Sequence, residues 1–339
     1  MAITIGDIAQ TAHVSTATVS RALNRPDQVD PATRARVCAV AKAMGYQPNR
    51  AAQALKTGRT GNVGVIVSDF ENLCSPEMLH GIQQRSAKAN LTPILAYGGD
   101  TELKEWDVVG RMISQVDGIV LCGSHLSDCQ IADIQRSVPV VLIDRVVPGV
   151  PSVGVDPSIG TLQAVNLLKA LGHNILGYFG GSPSSPSRVA ARHVCTSIDV
   201  ELIELSDAEP TFDNGVIAAE QLLDAEVSAV LTHSDLFAAG LLRGLSARSV
   251  SVPGGMSVVG YGNTTMARMT SVPLTTVNVP RQQAGIDAVE FLQRSLLTPS
   301  RTGGARLLPT KIVVRQSTGA VQFPQGSVRL GLRHAAASS

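Results

Sequence analysis

With 339 residues, 44% of them hydrophobic and only 16% charged, the chain carries enough apolar material for two or three compact units, which excludes a disordered polyelectrolyte. The formal net charge of +1 conceals an asymmetry: residues 1–60 hold eight Lys/Arg against three acids, and the remainder holds 20 basic against 24 acidic residues. A small basic head on a mildly acidic body is the distribution expected when one end must meet phosphates.

The five cysteines (Cys38, Cys74, Cys122, Cys129, Cys195) are odd in number, with no C-x-x-C pair and no Cys/His cluster at zinc spacing. They fit small buried hydrophobes in a reducing compartment, and neither a metal nor another cofactor is expected. The opening MAITIGDIAQ lacks the basic and apolar regions of a signal peptide. No apolar run approaches the roughly 20 residues of a membrane span, so the expectation is a cytoplasmic protein without a membrane partner.

Residues 4–56 have helical texture only. Ile5, Ile8 and Ala9 set a helical spacing through Asp7–Thr11, Ala12-His13-Val14 breaks it, and Ser15 is a good N-cap for a second helix, Thr16–Asn24, ended by Pro26. Asp30-Pro31 offers a cap and an N1 proline for a third helix through Val37, Val40 and Met44, with Gly45 as its stop. After Pro48-Asn49 a short Ala-rich helix is expected over Arg50–Lys56, then a linker, Thr57–Gly61.

From residue 62 apolar runs alternate with helix-length segments: Val63–Val67, Pro93–Tyr97, Gly118–Leu121, Val138–Asp144, Ile175–Phe179, Ala229–Thr232 and Ser257–Tyr261. Strands apolar on both faces, each followed by a helix, predict parallel sheets covered on both sides. The pattern appears about twice, before and after roughly residue 157. Two doubly wound subdomains side by side would place a ligand cleft at the carboxyl ends of their strands.

The string TIGDIAQTAHVSTATVSRALN has the form of a helix-turn-helix, whose second helix enters a major groove. Val14 and Val19 would face the first helix, leaving Thr16, Ala17 and Arg21 outward. Arginine can make a bidentate contact to guanine, and Thr and Ala methyls can pack on thymine. Ser15, Thr18, Ser20 and Asn24, together with Thr4, carry small polar groups suited to phosphates. An ordinary helical hairpin with an exposed arginine is the bland alternative.

The string resembles the opening of lactose-repressor (LacI/GalR) family regulators, and the likeness runs over roughly residues 3–319. VDPATRARV and GYQPNRAAQAL look like that family's third helix and hinge helix. VGVIVSDFEN, VDGIVL, PVVLIDR, ALGHNILGYFGG, MSVVGYGN, PLTTVNVPRQQAG and KIVVRQSTG follow in its order. The resemblance implies an all-α helix-turn-helix headpiece plus an α/β body of two doubly wound parallel-sheet subdomains, as in periplasmic binding proteins. It implies a headpiece at 1–47, a hinge helix and linker at 48–61, and an effector-binding and dimerisation domain at 62–319. That domain would divide into an N-subdomain (about 62–157 plus 280–298) and a C-subdomain (about 158–279 plus 308–319), before a loose tail, 320–339.

Further roles follow from the resemblance alone. Leu55 would wedge into the minor groove at the operator centre, where bending offsets the cost of unstacking, and Asn49, Arg50 and Lys56 would meet phosphates. His13 stands where the family usually has glycine, a position that needs positive φ. In the sensing cleft, Asp144 would hydrogen-bond ligand hydroxyls, Arg188 would bind hydroxyls, carboxylates or phosphates, and Phe212 would offer an aromatic platform. Ser234 and Asp235 would come from one strand-end loop, and Leu73, Cys74 and Ser75 from another. Gly262 replaces an aspartate common in sugar-binding members, leaving Asn263 as the next polar group. With Arg281 nearby, this tilts the effector from a plain sugar towards a sugar phosphate or sugar acid. Each cleft residue also has a structural alternative: Asp144 could pair with Arg145, Phe212 could be core, and Asp235 could cap a helix.

The implied protein is a repressor, working as a homodimer on double-stranded operator DNA. A solute receptor of periplasmic type would share the two-subdomain body, but the absent signal peptide and the basic headpiece speak against it. An enzyme is not expected: G-x-x-x-x-G-K-[ST], G-x-S-x-G, H-E-x-x-H and a strand-following G-x-G-x-x-G are all missing, and GGSPSSPS lacks the lysine of a phosphate loop.

Overall fold

The computed structural model describes residues 3–46, 58–68, 76–206, 209–298 and 304–321. The chain divides into two compact units, Met1–Gly61 and Asn62–Ser339.

Among the described residues of the first unit, local hydrogen bonds define three helices. Thr4 opens α1 (Ile5–Thr11) with a reciprocal box: its hydroxyl accepts from the Asp7 N–H at 3.3 Å, and the Asp7 carboxylate accepts from the Thr4 N–H at 2.8 Å. The helix therefore begins earlier than its apolar spacing predicts. His13 adopts φ 52, which makes the tight reversal required before α2 (Thr16–Asn24). Ser15 caps α2 by accepting from the Thr18 N–H at 3.1 Å, and Asp30 caps α3 (Pro31–Ala43) by accepting from Ala32 and Thr33. Ile8, Val19 and Val37, one from each helix, are completely buried against one another, with Val14, Val40 and Met44 packed around them.

The second unit holds two six-stranded sheets. The first contains β1 (Asn62–Val67), β2 (Thr92–Tyr97), β3 (Gly118–Cys122), β4 (Val140–Ile143), β5 (Ser152–Asp156) and β11 (Ala305–Pro309), in the order β11-β5-β4-β3-β1-β2 and all parallel. The second contains β6 (Ile175–Phe179), β7 (Glu201–Ser206), β8 (Ala229–Thr232), β9 (Ser257–Gly262), β10 (Thr275–Asn278) and β12 (Lys311–Val313), in the order β12-β10-β9-β8-β6-β7. Only β12 runs antiparallel.

The pleat sorts the first sheet's side chains. Val63, Val65 and Val67 face α4 (Pro76–Lys88) and α12 (Arg281–Leu297), whereas Ile66, Ile119 and Leu121 face α5 (Glu102–Met112) and α6 (Asp128–Ser137). The second sheet is sandwiched between α7 (Ser158–Ala170) with α8 (Pro186–Ser197) on one face, and α9 (Phe212–Asp224) with α10 (Asp235–Ala247) on the other. A short α11 (Met266–Met269) follows β9.

All seven expected strands form, the fourth shortened to Val140–Ile143 because Asp144 takes φ 61 and leaves the extended region. Five further strands (β5, β7, β10, β11 and β12) were not expected. β4 and β5 join without a helix, and β7 and β11 mix charged or exposed positions with apolar ones, so neither shows the doubly buried pattern.

The chain crosses between the sheets three times, after β5, after β10 and between β11 and β12. One buried hydroxyl ties two of these crossings: Thr310 Oγ1 donates to the Asp156 carbonyl at 2.8 Å and accepts from the Gly160 N–H at 3.0 Å. Near the cleft, α4 and α12 touch backbone to backbone. A Cβ at Gly81 would stand 2.1 Å from the Gln282 carbonyl oxygen. Gly81→Ala should therefore destabilise the second unit by about 1–3 kcal/mol through overpacking, although helix propensity alone would favour alanine by about 1 kcal/mol. Denaturant unfolding decides it: an unchanged or higher midpoint would show that the two helices can separate freely.

Candidate DNA-reading helix and ligand cleft

In the first unit, α2 buries Val19 and Ala22 and leaves Ser15, Thr16, Ala17, Arg21 and Asn24 exposed, with Thr18 and Ser20 half-buried. Ala17 and Arg21 lie one turn apart and share a face. Two of the polar residues also have local work: the Ser15 and Thr18 hydroxyls bond each other at 2.9 Å, and the Asn24 amide donates to the Ser20 carbonyl at 2.9 Å. Thr4 is exposed at the start of α1. Asn49, Arg50, Leu55 and Lys56 lie outside the described residues, as do Leu73, Cys74 and Ser75.

In the second unit, parallel strands deliver the residues that follow them to one edge. There, a cleft of about 550 Å³ opens between Glu77 of α4 with Gln283 and Ile286 of α12 on one side, and Asn263, Thr264, Arg268 and Arg315 on the other. Asn263 adopts φ 57 directly after β9. Its side chain is fixed by an Arg315 guanidinium donor on Oδ1 at 2.5 Å and by donation from Nδ2 to Asn278 Oδ1 at 2.8 Å. Arg281 opens α12 on the cleft wall and donates to Asp144 at 2.7 Å. Asp144 thus pairs across 137 residues of sequence, while Arg145 turns away to Asp128 at 2.6 Å.

The other expected cleft residues do not gather there. Asp235 is 1% exposed, and its carboxylate accepts from Thr276 Oγ1 at 2.6 Å, from the Thr264 N–H at 2.7 Å and from Thr264 Oγ1 at 3.0 Å. Burial raises its pKa and these bonds oppose the rise. Its place is behind the cleft wall, holding the Thr264 loop. Ser234 caps α10 by accepting from the Phe237 N–H at 3.1 Å. Phe212 is the exposed first residue of α9.

Arg188 sits in a second cluster at the end of β6. It is 4% exposed, lies over the Tyr178 ring, and donates to Glu204 at 2.5 Å and to the Gly181 carbonyl at 3.1 Å. Arg192 also grips Glu204, at 2.7 Å through Nη2, and donates to the Pro183 carbonyl at 2.9 Å. Arg192 and Arg281 are therefore both engaged with carboxylates.

Glu204 was not among the expected site residues, because nothing in its local sequence distinguishes an acid on an edge strand. Arg192 first, then Arg188, hold its carboxyl at about 2 against the cost of burial. His233, also unforeseen, follows β8 with its ring against Phe237, and burial pushes it down to about 4.

Comparison with known proteins gives these two sites a family. Residues 4–49 match the model of bacterial regulatory proteins, lacI family, and residues 165–318 match a periplasmic binding protein-like domain. Catabolite control protein A of Priestia megaterium is 30% identical over 331 residues, covering 94% of this chain and all of that protein. The HTH-type transcriptional repressor CytR of Escherichia coli K12 is 32% identical over 337 residues, covering 94% of this chain and 97% of CytR. The chain belongs to the lacI family of bacterial regulatory proteins.

Solved structures agree with that assignment. The lac repressor dimer bound to operator and the anti-inducer ONPF superposes with a TM-score of 0.82 at 26% identity, covering 94% of this chain and all of that one. A transcriptional regulator CelR–cellobiose complex gives 0.68 at 29% identity, covering 93% and 99%. In this lacI-family regulator the second cluster is the Arg188–Glu204–Arg192 triad.

That triad sets a pH dependence. A glutamate in the unfolded chain titrates near ~4.3, whereas Glu204 in the fold sits at about 2. A folded pKa below the unfolded one adds stability that is complete above the unfolded value and lost as pH falls towards the folded value. Glu204→Gln should therefore be less stable than the parent at pH 6, and the gap should shrink by pH 3. A gap that is flat over this range, measured by denaturant unfolding, would mean the arginines do not hold Glu204 ionised.

Proposed function

We propose that this regulator is a sequence-specific repressor whose affinity for operator DNA is set by a small molecule in the cleft of its second unit. The observation that carries the reading is α2: a helix anchored by Val19 and Ala22, capped by Ser15, and presenting Thr16, Ala17 and Arg21 outward. That is the chemistry for reading base edges, with Thr4, Ser15, Thr18, Ser20 and Asn24 placed around it for phosphates. Two relatives support the same function: CytR is a transcriptional repressor, and the lac repressor dimer is bound to operator.

We take residues 1–47 as the headpiece, 48–61 as hinge and linker, and 62–319 as the effector-binding and dimerisation domain. β11, with Leu308 and Pro309 that were expected in the second subdomain, is assigned to the first, since it pairs with β5. A two-fold homodimer on a pseudo-palindromic operator doubles the bases one headpiece can contact. Such a regulator would act in the cytoplasm, where its DNA is, with a sugar or sugar derivative as effector. CelR with cellobiose supports that class of ligand. Nothing in the two clusters favours an enzyme or a solute receptor over this reading.

Arg21→Ala should cost about 1–3 kcal/mol per base contact and relax preference at one position of each half-site. Operators selected from a random pool by the parent, then tested base by base in gel shifts, provide the measurement. An equal loss on every sequence would assign Arg21 to a phosphate instead.

A further inference from the structure

Among the described residues, three arginines line the cleft against one acid, Glu77. They differ in what they already hold. Arg281 is paired with Asp144. Arg315 is anchored by two neutral acceptors, the Leu274 carbonyl at 2.6 Å and Asn263 Oδ1 at 2.5 Å. Arg268, exposed on α11, has no hydrogen-bond or ion-pair partner among the described residues. Arg315 and Arg268 are close enough to feel each other. Burial depresses Arg315, Asp235 acts in the opposite direction, and the Arg268 charge depresses it again. Asp235 offsets part of the Arg315 charge from behind the wall, but its oxygens are taken up by Thr264 and Thr276, so it makes no hydrogen bond to either guanidinium.

The amides add to the imbalance. Asn263 spends its oxygen on Arg315 and its nitrogen on the Asn278 oxygen. The Asn278 –NH2 then remains on the cleft wall as a donor with no partner among the described residues. Glu77, the cleft's own acid, has a contact of 3.5 Å from Thr265 Oγ1. The wall is rich in donors and poor in acceptors.

We propose that the cleft takes a small anionic ligand, bearing a carboxylate or phosphate group held by Arg268 and Arg315 with the Asn278 amide as a further donor. A neutral polyol would leave two guanidiniums facing one space with no direct ion pair, Glu77 across the cleft and Asp235 behind its wall being the acids nearest them among the described residues. An oxyanion between them cancels their repulsion and gains charge-assisted hydrogen bonds in a partly desolvated site. Arg281 has no part in this charge balance, because Asp144 neutralises it. The inference rests on reading the cleft as the ligand site and narrows the class of ligand.

The test uses the full chain at matched ionic strength, with inorganic phosphate, citrate, ribose and cellobiose as probes and thermal unfolding and calorimetric titration as readouts. Phosphate or citrate should raise the melting temperature in a saturable way, and which of them acts separates phosphate from carboxylate chemistry. Arg268→Gln should unfold close to the parent without ligand, yet need about tenfold more anion or beyond for the same effect. Arg268→Lys should recover part of the loss. An anion response unchanged in Arg268→Gln overturns the proposal, as does the absence of any response to both anions. Stabilisation by ribose or cellobiose alone would refute the anionic class while leaving the cleft as the ligand site.

Discussion

Parallel strand pairing is the constraint on which the second unit depends. Every strand of the first sheet, and all but β12 of the second, ends at the same edge as its neighbours, so residues remote in sequence are delivered side by side. Asn263 follows β9 and Arg281 follows β10, and both line the cleft, while Asp144, which follows β4, holds Arg281. Such an edge is where doubly wound sheets present loops and helix starts to a ligand. The close backbone contact of α4 with α12 fixes the cleft's wall on one side, and the Asp235 carboxylate fixes the Thr264 loop on the other.

Because the chain crosses between the sheets three times, and Thr310 ties two of the crossings, the two halves of this unit can reorient only about those few segments. The Arg281–Asp144 pair joins a helix packed on the first sheet to the end of β4 in that sheet, so it stays within one half. The Arg315–Asn263–Asn278 ladder stays within the other. A ligand seated between Glu77 and Arg268 would touch both. It could shift the balance between two arrangements only by binding one better than the other, and any such preference must appear in DNA affinity if the arrangements differ in how they hold the operator.

The headpiece was almost fully legible in the sequence because its determinants are local. Thr4 with Asp7, Ser15 with Thr18, and Asp30 with Thr33 each act within three residues, and His13 takes the positive φ expected of its position. The doubly buried strands were legible for the same reason that they are buried: both faces are apolar. Edge strands such as β7, with Glu201 and Glu204, carry no such mark. The clusters were the least legible. Resemblance indicated Asp144, Arg188 and Arg281, but their partners lie 137 residues apart or on another strand, and pairing distance is a property of the fold. Arg268 and Arg315 gave no local signal, since a single arginine near the surface is ordinarily solvated.

In the proposed regulator, ligand in the cleft and operator on the headpiece are energetically coupled. The direct measurement is the affinity of the full chain for the stabilising ligand, by calorimetry, with and without saturating operator DNA, alongside operator affinity with and without saturating ligand. Coupling of the usual size changes each by about 5- to 150-fold, and linkage requires the two factors to be equal. Two equal factors clearly different from one would uphold the account. Ligand affinity indifferent to operator, in a protein that binds both, would contradict it.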